Sequence, residues 1–309
     1  MIENLLFIGA GASYGSSNNK EIVPPLGEKL FDELKKYCDQ TSWNNIPNEY
    51  QKIFTNQGFE IGMASIIDKC YELETILLKT NDVESKNEYS KINKGWLNYC
   101  MAVYFSQFKP ENDNLYRLLA AKIHSKKNSW NGIIATINYD KLLYLSLKDY
   151  DIKPQERILF LHGACNIVMK GYQIKQSSSN IVSYNEADSY SFIDSCCDLN
   201  IPVLCHYHRN KRPENGVSFI KDQQNKFKNI LQKQAKNVVI VGVKFTPQDE
   251  HIWGKDALGR TKANIYYFNS EDDNNYLKNN WSYFNKNKHK TINKYFNEGF
   301  QEICQLLNL

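Results

Sequence analysis

Asn4-Leu5-Leu6-Phe7-Ile8-Gly9-Ala10-Gly11-Ala12-Ser13 is the stretch on which the fold turns. Four consecutive apolar side chains stop at two glycines one residue apart. A strand with apolar residues on both faces reads as buried in a parallel sheet, and the glycines after it as a tight turn. Glycine at such a turn lets the backbone come close to a pyrophosphate, and exposed N–H groups there favour negative charge. The same Gly-x-Gly also serves as a plain turn without a ligand.

Working outward, short Ile/Val/Leu runs return at residues 132–137, 157–162, 201–207, 237–243 and 263–269. Helical patterns at 139–147 and 217–235 alternate with them, and an amphipathic helix is expected over about 292–307. Alternating strands and helices with continuously apolar strands imply an α/β fold with a Rossmann-like, doubly wound parallel sheet. Between the first and second strands the period changes. Pro24-Pro25 precedes Leu26, Leu30, Phe31, Leu34 and Cys38 on one helical face. Met63, Ile66, Ile67, Cys70, Leu73 and Leu77 keep a three-four spacing, as do Leu97, Met101, Tyr104, Phe105 and Phe108, then Leu115, Leu118, Leu119 and Ile123. Residues 40–125 are therefore expected to be an α-helical insertion lobe in a domain made of 1–39 and 126–309. Residues 79–94 read as a loop between its helices, and the polar, serine-rich 173–190 as another loop.

Four further pieces fall at predicted strand ends, where an open α/β sheet binds ligands. Thr136-Ile137-Asn138-Tyr139-Asp140 puts two polar side chains at i and i+2 in one turn. They fit a ligand crevice, and they equally fit the cap of the helix that follows. Leu161-His162-Gly163 sets a histidine at the next strand end. Residues 238–243 end at Gly242, and Thr246, Pro247 and Asp249 read as the N-cap, N1 and N3 of a helix. Ile265-Tyr266-Tyr267-Phe268-Asn269 ends on a polar side chain.

Bulk properties narrow the class. Hydrophobic residues make up 42% and aromatic residues 13% of 309 residues, enough for a packed core and too much for disorder. A net charge of +4 permits nucleotide or nucleic-acid contact without requiring it. The sequence has no apolar run of about 18 residues, so no membrane span is expected. Met1-Ile2-Glu3-Asn4 lacks the positive charge of a signal peptide, so a cytoplasmic protein is expected. The eight cysteines form no C-x-x-C pair and read as reduced thiols. Cys196, Cys197, Cys205, His206 and His208 lack zinc spacing, and no metal is expected. Arg209-Asn210-Lys211-Arg212 and the basic, aromatic stretch 278–294 read as solvated loop or subunit contact in preference to a nucleic-acid surface.

Taken in order, the five pieces resemble the sirtuin family along the Rossmann-like part of the chain. Gly9-Ala10-Gly11-Ala12-Ser13 looks like the family's NAD loop, and Asn138-Tyr139-Asp140 like the Asn-x-Asp of its nicotinamide pocket. His162-Gly163 looks like its catalytic His-Gly, and Gly242 and Asn269 fall where it meets the adenosine half of NAD. Two departures matter. The family's deacylases carry Gly-Ile-Pro-x-Phe-Arg where this chain has Val23-Pro24-Pro25-Leu26-Gly27, and they hold zinc on two C-x-x-C pairs. The chain is closer in pattern to the bacterial sirtuin-like proteins of anti-phage defence.

That resemblance implies an NAD⁺ hydrolase, with NAD⁺ as substrate, that depletes the dinucleotide during infection. Asp140 would hold the nicotinamide carboxamide, Asn138 the water or ribose hydroxyls, and His162 would act as base, near neutrality as imidazoles titrate. Ser13 and the N–H groups of Ala10, Gly11 and Ala12 would hold the pyrophosphate. It also implies restraint by a homo-oligomer or by a separately encoded ATPase/helicase-type or argonaute-type regulator. The rival expectations are a protein deacylase or ADP-ribosyltransferase, and a catalytically silent sensor of NAD or ADP-ribose.

Overall fold

The computed structural model describes residues 2–37, 43–80, 82–170, 174–176, 182–184, 189–192, 202–204, 217–246 and 249–309. The chain divides into two compact units. Residues 1–24, 108–162 and 220–309 make the first, and 25–107 with 163–219 make the second.

The first unit is built on six parallel strands. In chain order these are β1 (Asn4–Ile8), β2 (Gly132–Thr136), β3 (Ile158–Phe160), β9 (Asn237–Val241), β10 (Asn264–Asn269) and β11 (His289–Asn293). Their spatial order is β11-β10-β9-β1-β2-β3. The chain winds outward from β1 to β3, returns to the centre at β9, and winds outward again the other way. This is the dinucleotide-binding order of an open α/β sheet, with its switch point between β1 and β9. The expected doubly wound α/β fold is therefore what the chain forms.

Register explains why the strands read as unbroken apolar runs. Leu5 and Phe7 lie level with Ile133 and Ala135 on β2, and with Val238 and Ile240 on β9. Ile265 and Tyr267 continue the rows on β10. These side chains form one face, covered by Phe227, Ile230, Leu231, Trp253, Leu258, Leu277 and Trp281. The alternate residues Leu6, Ile8, Ile134, Val239 and Phe268 are equally buried on the other. A strand covered on both sides has no place for a polar alternation.

The second unit holds helices Gly27–Tyr37, Asn48–Gln57, Phe59–Leu77, Val83–Lys91 and Lys94–Ser106. Phe31 stacks on Phe54 at 4.2 Å, and Trp43 on Phe59 at 5.9 Å. It also holds β4 (Gly163–Lys170), β5 (Ile174–Gln176), β6 (Val182–Tyr184), β7 (Ser189–Phe192) and β8 (Pro202–Leu204). These strands pair antiparallel, in the order β7-β4-β8 and as β5 with β6.

Several expectations are corrected. The second unit is not 40–125. The amphipathic helix Gly27–Tyr37 belongs to it, the helix Leu115–Ser125 does not, and the segment after His162 joins it. Within the expected parallel strand 201–207, the described residues Pro202–Leu204 form β8, which pairs antiparallel with β4. Residues 79–94 contain a helix, started by Asp82, whose carboxylate accepts the Ser85 N–H at 2.6 Å. The last helix begins at Phe296, not 292, because His289–Asn293 adds β11 beside β10. Its sequence, His-Lys-Thr-Ile-Asn, is polar because an edge strand has one neighbour and an exposed flank.

Candidate active site at the switch point

The glycine loop and the end of β9 cross backbone to backbone. Gly9 N–H donates to Val241 O at 3.0 Å, and Gly11 N–H to Gly242 O at 3.0 Å. Gly242 has φ +60°, and a Cβ there would stand 2.2 Å from the Ala12 nitrogen. Gly9 and Gly11 are as confined, since a Cβ on either would meet Gly242 backbone within 3.0 Å. The Gly-x-Gly pattern is thus required by close packing of two turns. Ala12 N–H turns back to Gly9 O at 2.9 Å. Two of the three N–H groups expected to grip a pyrophosphate therefore already have acceptors, Gly11 on the turn after β9 and Ala12 within the loop.

Asn138 follows β2 and reaches the loop from the other side. Its Nδ2 donates to Gly9 O at 3.0 Å and to Ser13 Oγ at 2.8 Å, and its own N–H donates to Thr136 Oγ1 at 3.0 Å. The Gly9 carbonyl can only accept, which fixes the amide's orientation. Asn138 Oδ1 is left buried with no hydrogen-bond partner, on a residue 7% exposed. Native proteins seldom leave a buried acceptor empty, because the lost hydration costs about 1–3 kcal/mol.

Asp140 lies two residues on and accepts the Leu142 N–H at 3.0 Å, so capping is one of its duties. Burial pushes its carboxyl above the ordinary carboxylate range, opposed by the Ser13 hydroxyl and the Leu142 N–H. Tyr116, on the helix Leu115–Ser125, completes the group with its hydroxyl 3.1 Å from Ser13 Oγ. Burial, and then the charge of Asp140, hold the Tyr116 phenol well above its usual value. Ser13, Asn138, Asp140 and Tyr116 form one buried polar cluster beneath the glycine loop. Tyr116 escaped sequence reasoning because it sits within a three-four spaced apolar helix and carries no motif.

His162 lies two residues beyond β3 and is 2% exposed. Its Nε2 lies 3.4 Å from His251 Nε2 and 3.4 Å from Asp249 Oδ1. Asp249 precedes the short helix Glu250–Trp253, and its Oδ2 accepts Thr246 Oγ1–H at 2.8 Å. Thr246 and Asp249 are joined side chain to side chain, but the helix begins at Glu250 with Asp249 at its N-cap, so Asp249 is not the N3 residue expected; Pro247 lies outside the described residues. β3 and β9 stand three strand spacings apart, about 14 Å. To place Asp249 against His162, the segment after β9 must therefore cross above the ends of β1 and β2. His251 was missed because a four-residue helix has no periodicity.

Gly163, with φ +77°, has the Val203 carbonyl 1.9 Å from where a Cβ would stand, so pairing of β4 with β8 alone demands glycine. Asn269 ends β10 and donates from Nδ2 to Val243 O at 3.0 Å, joining the β10 and β9 turns. Cys38, Cys196, Cys197, Cys205, His206, His208 and residues 209–212 lie outside the described residues. Cys70, Cys100, Cys165 and Cys304 are buried and in no disulfide. Among the described residues no helix is long and apolar enough to cross a membrane.

No protein-family model matches the chain, and no curated protein matches it. Similar solved structures include a mutant Sir2 homologue with ADP-ribose, at 11% identity over 99% of this chain and 90% of that one, with a TM-score of 0.44. A structure described as the structural basis of sirtuin substrate affinity aligns at 14% identity over 98% and 93%, TM-score 0.44. A Sir2 mutant with a peptide and NAD aligns at 13% over 98% and 92%, TM-score 0.43. At this distance the site has to be judged on its own residues.

Proposed function

We propose that the chain binds NAD⁺ at the carboxyl edge of the six-stranded sheet and hydrolyses the nicotinamide–ribose bond. The observation that carries this is the empty, buried Oδ1 of Asn138, fixed in place by its amide's bonds to Gly9 and Ser13. An acceptor held beside the switch-point crevice suits a donor brought by a ligand: a ribose hydroxyl or the attacking water. The glycine crossing supports the same reading, since its close packing keeps the crevice floor free of side chains.

The bond between ribose C1′ and the pyridinium nitrogen breaks with its electron pair passing to the leaving nicotinamide, which departs neutral. Water attacks C1′ of the oxocarbenium-like ribose and gives up a proton. Asn138 Oδ1 orients that water or a ribose hydroxyl. Asp140 holds the carboxamide, its protonation tuned by burial, Ser13 and Leu142 N–H. His162 Nε2 takes the proton, and the Asp249 carboxylate 3.4 Å from that nitrogen stabilises the imidazolium that forms. Gly242 and Asn269 frame the adenosine side, and Ser13 with the Ala10 N–H faces the pyrophosphate.

Unrestrained hydrolysis of NAD⁺ would kill the cell that makes the enzyme. We therefore place the activity in cytoplasmic anti-phage defence, restrained by homo-oligomer assembly or a separately encoded regulator. Nicotinamide release from NAD⁺ is measured by chromatography, with and without the genomic-neighbour protein, alongside ADP-ribose binding by calorimetry. Release that is lost in Asn138→Ala and in His162→Ala, with folding intact, is the expected result. Binding without release under any condition would replace hydrolysis with the sensor reading.

A further inference from the structure

We infer that His162, Asp249 and His251 form a binding site for a divalent first-row metal ion of the zinc class, and that filling it withdraws His162 from proton transfer. The second half rests on the hydrolase reading; the site itself does not. The three side chains present one ligand atom each, all within 4.8 Å of one another. Two edges of that triangle are both 3.4 Å: His162 Nε2 to His251 Nε2, and His162 Nε2 to Asp249 Oδ1.

Zinc bound at about 2.0–2.1 Å in a tetrahedron sets its ligand atoms about 3.3–3.4 Å apart, since a tetrahedral edge is about 1.63 bond lengths. The observed edges already have that length. Two imidazoles and one carboxylate are the donor set that zinc, cobalt and their neighbours share. The carboxylate is also oriented as a ligand would be. Thr246 donates to Oδ2 at 2.8 Å, which leaves Oδ1 turned to His162. Asp249 and His162 are both 2% exposed, whereas His251 is half-buried. Three protein ligands with one half-open side leave the fourth position to water.

The consequence for the reaction is direct. The Nε2 lone pair that would accept a proton is the one the metal takes, so the metal-loaded protein has no base at His162. No C-x-x-C pair is involved, which is why metal spacing in the sequence does not announce the site: its ligands come from the turn after β3 and from the start of the short helix Glu250–Trp253.

The test is binding of zinc and of cobalt to the intact protein, by calorimetry and by the visible absorption of cobalt, in wild type, Asp249→Asn and His251→Ala. One equivalent per chain, with four-coordinate cobalt bands, is expected in wild type. Each variant should lose the bands and at least about 10-fold in affinity. Absence of a stoichiometric ion, or a site of equal affinity in both variants, overturns the proposal. Neither readout involves nicotinamide, so a failure of the hydrolase reading leaves the binding result intact. If release does occur, saturating zinc should suppress it and a chelator restore it; release indifferent to saturating zinc would overturn the coupling to His162.

Discussion

Replacing Gly242 with alanine should pull the glycine loop away from β9. The backbone at Gly242 has φ +60°, and holding an L-residue there costs about 1–2 kcal/mol. The new Cβ would also stand 2.2 Å from the Ala12 nitrogen, 2.5 Å from the Gly11 carbonyl carbon and 2.7 Å from Gly11 Cα. All three are backbone atoms, so no flexible side chain can move aside. Relief requires the two turns to part by about 1 Å, given carbon contacts of about 3.5–4 Å. That separation breaks the 3.0 Å bond from Gly11 N–H to Gly242 O and strains the 3.0 Å bond from Gly9 N–H to Val241 O, each worth about 1 kcal/mol. The sum is about 2–4 kcal/mol, or a Tm about 4–16 °C lower at about 2–4 °C per kcal/mol. Gly27→Ala is the control, since nothing lies within 4 Å of a Cβ at that helix position and alanine there should be neutral or mildly stabilising. Differential scanning calorimetry gives the Tm values, and isothermal titration the affinity for NAD⁺ and ADP-ribose. A Gly242→Ala protein that melts within about 2 °C of wild type and binds the nucleotide unchanged would refute the claim that this crossing shapes the crevice.

Three further outcomes are expected. Asp140→Asn removes a carboxyl whose ionisation burial opposes but keeps an acceptor for Leu142 N–H, so Tm at pH 7 should rise while nicotinamide release falls by about 100-fold or more; a less stable, fully active variant would contradict both assignments. Tyr116→Phe loses the 3.1 Å bond to Ser13 and should cost about 1 kcal/mol by urea unfolding, with Asn138 still bonded to Ser13 and Gly9. His289 is held neutral because burial, and then Lys288, bring its pKa from 6.5 down to about 4, and its Nδ1 accepts the Asn285 N–H at 3.1 Å. Above about pH 6.5 it is neutral folded and unfolded; as pH falls toward about 4 the unfolded chain gains a proton the folded one refuses, and up to about 3 kcal/mol of stability is lost. His289→Asn should flatten that part of the stability profile between pH 7 and 5; an unchanged slope would place the protonation elsewhere.

The central strands were legible because burial on both faces writes itself into the sequence. Leu5-Leu6-Phe7-Ile8 and Val238-Val239-Ile240-Val241 allow no other placement. β11 was not, because an edge strand obeys no such demand, and the helix Val83–Lys91 was not, because its stop-start signal is a single Asp82 cap. In the site, Asn138, Asp140 and His162 stood out as polar groups at strand ends. Tyr116, Asp249 and His251 did not stand out as their partners, because those contacts join positions about 90 to 100 apart in the chain. What a strand end faces is settled by the turns of other strands, and those are tertiary facts. The same holds for Gly242: the sequence suggested a seat for a ligand, and the structure gives the Ala12 N–H and Gly11 as the atoms its missing side chain makes room for.

The placement of β1 also governs how the chain is made. It is the hub of the sheet, and one of its two neighbours, β9, pairs Asn4 with Asn237, 233 positions later. At ribosomal speeds of about 5–20 residues per second, the strand waits about 10–50 s after synthesis before that partner exists. During the wait Leu5, Leu6, Phe7 and Ile8 offer a bare apolar ribbon with one open edge, the form most prone to pair with another chain. Newly made protein should therefore depend on holdase chaperones, and the more slowly the residues between β1 and β9 are added, the larger the share that should aggregate when those chaperones are depleted.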